Sequence, residues 1–163
     1  MRAQDDTFDA AFDRLLARSY RHAVRLVGDR ALAEDLAAEA LTRTYAHWPR
    51  VCSYEHLDAW VLRVVTNLAI DALAKPRARA LQPTSISAED AVILRVALAQ
   101  ALRTLSTRQR DAVVLRYLVD MTEADAAEAL GIAPGTLKSH LHRAVERLRH
   151  LLGPAFDPRF EER

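Results

Sequence analysis

Cysteine is almost missing: Cys52 stands alone among 163 residues. A lone thiol cannot close an internal disulfide or build a thiolate metal cluster, so neither redox nor zinc chemistry organises this fold, and no cofactor is expected. Burial or half-burial is the ordinary fate of such a residue. Glycine and proline are also scarce, at four and six residues, while Ala and Leu are used heavily and 50% of the chain is apolar. Few breakers and many helix formers favour a packed all-α protein over a disordered one. No uncharged apolar run approaches the roughly 18 residues that would span a bilayer. The opening Met1-Arg2-Ala3-Gln4-Asp5-Asp6 lacks a signal peptide's basic-then-apolar order, so a cytoplasmic chain with no membrane partner is expected. Charge of neither sign dominates, with a formal net value of +1. It is nonetheless sorted. Asp120 to Glu128 carries four acids and no base, whereas Pro134 to His150 carries Lys138, Arg143, Arg147 and Arg149 against Glu146 alone.

Apolar spacing divides the chain into helices. Phe8, Phe12, Leu15, Leu16, Tyr20, Ala23, Val24 and Val27 predict a helix over 8–27, which Gly28-Asp29 stops while offering a cap to the next. Leu32, Leu36, Ala40, Leu41, Tyr45 and Trp48 predict a second, ending before Pro49 because the residue preceding proline is pushed out of helical geometry. Ser53 is a candidate N-cap for a third, with a core face of Leu57, Trp60, Val61, Val64, Val65, Leu68 and Ala72. These three helices are expected to form one small bundle over residues 1–75. Residues 76–86 hold two prolines and no apolar stripe, which reads as a linker of at most about 40 Å when extended. A second small helical domain is expected over 87–153, followed by a tail at 154–163. In it, Ser87 with Asp90 and Ser106 with Gln109 are spaced as capping pairs that start helices ahead of the apolar runs Ala91 to Leu105 and Val113 to Leu118, and Thr122 with Asp125 is a weaker pair for a short helix ending at Leu130-Gly131.

The helix ending at Leu130, the turn Gly131-Ile132-Ala133 and the helix from Pro134 to about Leu152 form a helix-turn-helix pattern. Leu137, Leu141, Ala144, Val145, Leu148 and Leu151 share one face of the last helix. Thr136, Ser139, His140, Arg143 and Arg147 share the other, which suits a major groove: the N-terminal half meets base edges, while Lys138 and Arg147 are better placed for phosphate.

The string Leu105 to Tyr117, with Thr122 to His140 and Arg143 to Arg149, resembles region four of the sigma factors, the module that reads the −35 promoter element. That string alone also looks like the helix-turn-helix of LuxR-type response regulators. The N-terminal half distinguishes the two: Gly28 to Leu41 and Ala59 to Asp71 are similar to sigma region two of the extracytoplasmic-function (ECF) group. The resemblance covers Phe8 to Leu152. It implies an RNA polymerase sigma factor that brings core polymerase to promoters and assists their opening, with the β and β′ subunits and promoter DNA as partners, and an anti-sigma factor as a further partner open to the family. Carried over residue by residue, it places Glu34, Asp35, Leu36 and Glu39 at the polymerase clamp. Arg63, Asn67, Asp71, Lys75 and Arg77 fall at the −10 element, and Thr136, Lys138, Ser139, His140, Arg143 and Arg147 at the −35 element. The physical chemistry agrees, since cations meet phosphate and amide or carboxylate groups can recognise unstacked bases. Ala38, Leu41, Ala72, Ala74 and His140 depart from the family pattern, where glutamine, phenylalanine and arginines are common.

Enzyme chemistry finds no constellation. Gly131 to Ser139 contains glycine, lysine and serine without the spacing or preceding strand of a phosphate loop, and His140 and His142, two apart on a helix, do not share a face for a metal. A DNA-binding regulator whose N-terminal bundle binds some other protein is the remaining alternative to a sigma factor.

Overall fold

A computed structural model describes residues 2–75 and 86–153, which form helices joined by short turns, with no strand among them. The linker at 76–85, with Arg77 and Arg79, and the tail from 154 lie outside the described residues. Contacts divide the chain into two compact units, Met1–Ala69 and Ile70–Arg163, a division that falls inside the third helix rather than after Lys75.

The first unit is built from α1 (Arg2–Val27), α2 (Arg30–Val51) and the greater part of α3 (Leu57–Ala74), up to Ala69. Gly28 at φ 70° ends α1, and the Asp29 carboxylate accepts from the Leu32 amide at 3.0 Å, so the stop-and-cap reading of that pair holds. Proline does not end α2. The helix continues through Pro49 to Val51, the Cys52 amide still donates to the Trp48 carbonyl at 3.0 Å, and Trp48 and Val51 are buried. Core burial of that last turn outweighs the hydrogen bond that proline cannot donate. Ser53 is not the cap of α3. Two tight turns, Tyr54 to Val51 and Leu57 to Tyr54, intervene before the first helical bond, from the Trp60 amide to the His56 carbonyl. Cys52 lies exposed where the chain turns, contrary to the burial expected of it.

Phe8, Leu15, Leu41, Trp48, Val51 and Val61 form the core, with Trp60 half-buried against them. The Phe8 ring meets Phe12, Tyr45 and Trp48 edge-on at 5.0–5.8 Å, and the Trp48 indole N–H donates to the Thr7 hydroxyl at 2.9 Å. The buried stripe of α3 is turned from the expected one: Val61, Leu62, Val65, Thr66, Ala69 and Ile70 are buried, whereas Leu57, Trp60, Val64, Leu68 and Ala72 are only half-buried. Beside it runs a polar seam of Ser19, His22, Thr44 and Thr66, each 0–2% exposed. The Thr66 hydroxyl donates to the Leu62 carbonyl at 2.8 Å, so its oxygen accepts from His22 Nε2 at 2.7 Å, and His22 Nδ1 is left to accept from Arg25 at 3.4 Å. Burial, then the positive charges of Arg25 and Arg18, lower the His22 pKa to about 4.

In the second unit, α4 (Ile86–Arg103), α5 (Thr107–Val113), a π-helical turn (Val114–Leu118), α6 (Glu123–Leu130) and α7 (Pro134–Leu152) follow one another. α4 begins at Ile86, ahead of the start expected from Ser87. Ser106 does cap α5, and its reciprocal box with Gln109 is complete. The helix expected to Leu118 changes to π geometry at Val114: the Val119 amide bonds the Val114 carbonyl, five residues back, at 2.9 Å. Asp120 follows at φ 64°, in the left-handed region that aspartate tolerates better than most side chains. Arg116 donates to the Met121 carbonyl at 3.1 Å, closing the turn.

Candidate nucleic-acid interface

The helix-turn-helix is held by local chemistry. The Thr122 hydroxyl accepts from the Asp125 amide at 3.1 Å to start α6, Gly131 adopts φ 63° to end it, and the Ile132 amide closes the turn on the Ala127 carbonyl at 3.0 Å. Pro134, with its fixed φ and no N–H, opens α7. Leu137, Leu141, Ala144 and Leu148 are buried and fix the roll of α7, with Val145 half-buried and Leu151 exposed.

That roll exposes Thr136, Lys138, Ser139, Arg143 and Arg147 and leaves His140 half-exposed. Three of them also have partners inside the unit. Lys138 lies 3.7 Å from the Glu123 carboxylate of α6, the Ser139 hydroxyl donates to the Gly135 carbonyl at 3.0 Å, and Arg147 Nε donates to the Thr104 hydroxyl at 3.2 Å. Arg147 therefore anchors the far half of α7 to the end of α4, a contact that helical spacing did not reveal. Arg143 projects from the exposed face about two turns inside the helix, with Thr136 nearer its start.

On the first unit, Glu34, Asp35 and Glu39 lie on the exposed side of α2, and Glu39 pairs with Arg43 at 2.8 Å. Leu36 is not on that surface. It is 7% exposed and packs into the bundle, because one residue past Asp35 the helix has turned by about 100°. Leu36 thus supports the carboxylates from beneath. Arg63, Asn67 and Asp71 recur every four residues along α3, the first two half-buried and the third exposed, with Lys75 exposed just past the helix end. The periodicity aligns these groups on one edge.

Sequence reasoning missed a basic face on α1, where Arg14 and Arg18 both pair with Asp58 and Arg21 and Arg25 continue the row. Its signal was available in the four-three-four spacing. Among the described residues there is no group of His, Cys, Asp and Glu able to hold a metal, and no helix long and apolar enough to cross a membrane.

Residues 11–80 match the family described as Sigma-70 region 2, and residues 95–148 match Sigma-70, region 4. An RNA polymerase sigma-E factor of Streptomyces avermitilis is 39% identical over 141 residues, covering 81% of this chain and 77% of its own. The ECF RNA polymerase sigma factor SigL of Mycobacterium tuberculosis is 34% identical over 152 residues, covering 86% and 85%. Among solved structures, the sigma factor RpoE of Bartonella quintana, crystallised with the anti-sigma factor NepR, is 26% identical and matches with a TM-score of 0.50 over 89% of this chain and 96% of that one. The two region matches fall one in each half of the chain, in the order region 2 then region 4, and the chain belongs to the ECF group of the sigma-70 family of RNA polymerase sigma factors.

Proposed function

We propose that this sigma factor docks on core RNA polymerase through Glu34, Asp35 and Glu39 of α2, engages the −10 region through Arg63, Asn67, Asp71, Lys75 and Arg77, and reads the −35 element with α7. The observation that carries this reading is the roll of α7: its buried leucines leave Thr136, Ser139, Arg143 and Lys138 outward at the end that a recognition helix inserts into the major groove. Arg143 is assigned to base edges, with Thr136, Ser139 and His140 beside it. Lys138 is assigned to phosphate, its long pair with Glu123 being the kind of exposed contact that phosphate readily replaces. Arg147 divides its role between phosphate and the Thr104 anchor. The protein acts in the cytoplasm, where polymerase and promoters are, and catalyses no reaction of its own. The NepR complex of the Bartonella relative supports an anti-sigma factor as a further partner.

The test is transcription from a cognate promoter with added core enzyme. Wild-type protein should support it, and Asp35→Lys/Glu39→Lys should lose co-purification with core while keeping its helicity. Arg143→Ala should cost about 1–3 kcal/mol and relax preference at one or two −35 positions, whereas Lys138→Ala should weaken all sequences alike. Sequence-specific binding with no transcription when core is added would instead favour the free-standing regulator.

A further inference from the structure

The first unit gathers positive charge where none of the promoter or polymerase contacts above is assigned. Arg14, Arg18, Arg21 and Arg25 of α1 follow one another at four, three and four residues, which at 100° per residue confines them to one narrow face over about 16 Å. Arg30, the first residue of α2, lines the same cavity as Arg18, Arg21 and Arg25, with His22 and Leu62 also in its wall. The cavity holds about 570 Å³, within the range of about 300–1,000 Å³ typical of small-ligand sites.

Carboxylates do not balance this group. Asp58 is taken up by Arg14 and Arg18, and Asp29 by the N-cap of α2. Among the described residues Arg21 and Arg30 have no side-chain partner, and Arg25 has only the His22 ring. A solvated basic face normally spreads its charges over convex surface, where water screens them. Here several guanidiniums converge on a concavity, where field lines focus and planar forks match phosphate oxygens. The pKa of His22 is lowered first by its burial and then by the positive charges of Arg25 and Arg18, which face the same wall.

We propose that this cavity is a phosphate-group site in which Arg21, Arg25 and Arg30 hold a phosphorylated ligand, supplied either by a nucleotide-sized molecule or by the phosphodiester backbone of a DNA strand. It goes beyond the promoter contacts proposed above, none of which lies on α1 or includes Arg30. The two sources share one chemistry and differ in how many phosphates must follow one another.

Calorimetric titration of the full chain with inorganic pyrophosphate, with ATP as a probe nucleotide and with a short oligothymidylate distinguishes them. Wild-type protein should bind at least one probe more tightly than about 1 mM. Arg21→Gln/Arg30→Gln should weaken that probe by about tenfold or more, while Arg43→Gln, an exposed arginine elsewhere on α2, should leave it unchanged. Loss confined to pyrophosphate and ATP assigns a small ligand, and loss confined to oligothymidylate assigns a strand. Ring ¹⁵N shifts of His22 that move on saturation in wild type, and not in the double variant, place the ligand in this cavity independently of affinity. Failure of all three probes to bind, or binding by the double variant equal to wild type, overturns the proposal and leaves a solvated basic face. Unchanged circular dichroism of the double variant separates loss of the site from loss of the fold.

Discussion

The two units solve the same packing problem with different chemistry. The first uses three long helices, of 26, 22 and 18 residues, around Phe8 and Trp48, and buries a seam of Ser19, His22, Thr44 and Thr66. The second sets three short pieces, of 7, 5 and 8 residues, between α4 and α7, and among the described residues its buried set is apolar and non-aromatic apart from Asp111. Its elements are instead set by local devices: the Ser106 box, the Thr122 cap, the left-handed Gly131 and Pro134 at the start of α7. Long helices derive their stability from tertiary burial, while short ones depend more on how their ends are satisfied. The first unit is accordingly specified by what its helices touch, and the second in larger part by how they begin and stop.

Trp48→Ala is the strongest way to test that contrast. It deletes one of the three rings packed on Phe8 and the indole bond to Thr7, and should destabilise the first unit by about 3–5 kcal/mol. Residue-resolved hydrogen exchange should show the loss in α1 to α3 and not in α5 to α7. Leu137→Ala is its counterpart, expected to cost the second unit about 2–5 kcal/mol by the same measurement, and equal losses in both units would break the separation.

The polar seam gives the first unit a pH response. The folded His22 pKa of about 4 lies below the 6.5 of an ordinary imidazole, so the unfolded chain takes up the proton first. Stability from this residue is complete above pH 6.5 and is lost as pH falls toward 4, to a total of about 3 kcal/mol. Urea unfolding followed through α1 to α3 should show this decline between pH 6.5 and 4, and His22→Gln should remove that part of it. Smallest of all, Ser106→Ala should cost about 1 kcal/mol, seen as faster exchange at the start of α5, with the first unit unaffected.

The same contrast explains what the sequence disclosed. Ser106, Thr122, Gly131 and Pro134 announce the elements of the second unit because each acts on its own backbone within a few residues. Both candidate faces of α7 were legible too, since its polar and apolar residues alternate cleanly. In the first unit, α3 is apolar around most of its circumference, so periodicity alone could not choose between the stripe of Leu57, Val64 and Leu68 and that of Leu62, Thr66 and Ile70. Thr66 and His22 are buried because they satisfy each other across 44 positions, which no local pattern reports. Pro49 misled for a related reason: the propensity that ends helices was outweighed by burial of Trp48 and Val51 on either side of it. The π-helical turn had no signal in composition or spacing, its apolar residues continuing the spacing of an ordinary helix. Within the candidate site, Leu36 was misplaced because nearness in sequence to Asp35 says nothing of which way it points.

That π-helical turn, Val114–Leu118, also acts as a phase adjuster. A π turn is geometrically an α-helix with one residue taken up inside it, so the chain advances by one position without a matching advance along the axis. Everything downstream inherits the offset: α6 and α7 start about 100° away from where an uninterrupted helix would have delivered them. The orientation of Arg143 is thus encoded some thirty residues before it, in a count of residues rather than in their identity. Change at this turn is quantised. A substitution that keeps the bulge leaves the roll of α7 intact, whereas loss of a single residue would turn α6 and α7 by a discrete step, making chain length a stricter constraint here than side-chain chemistry.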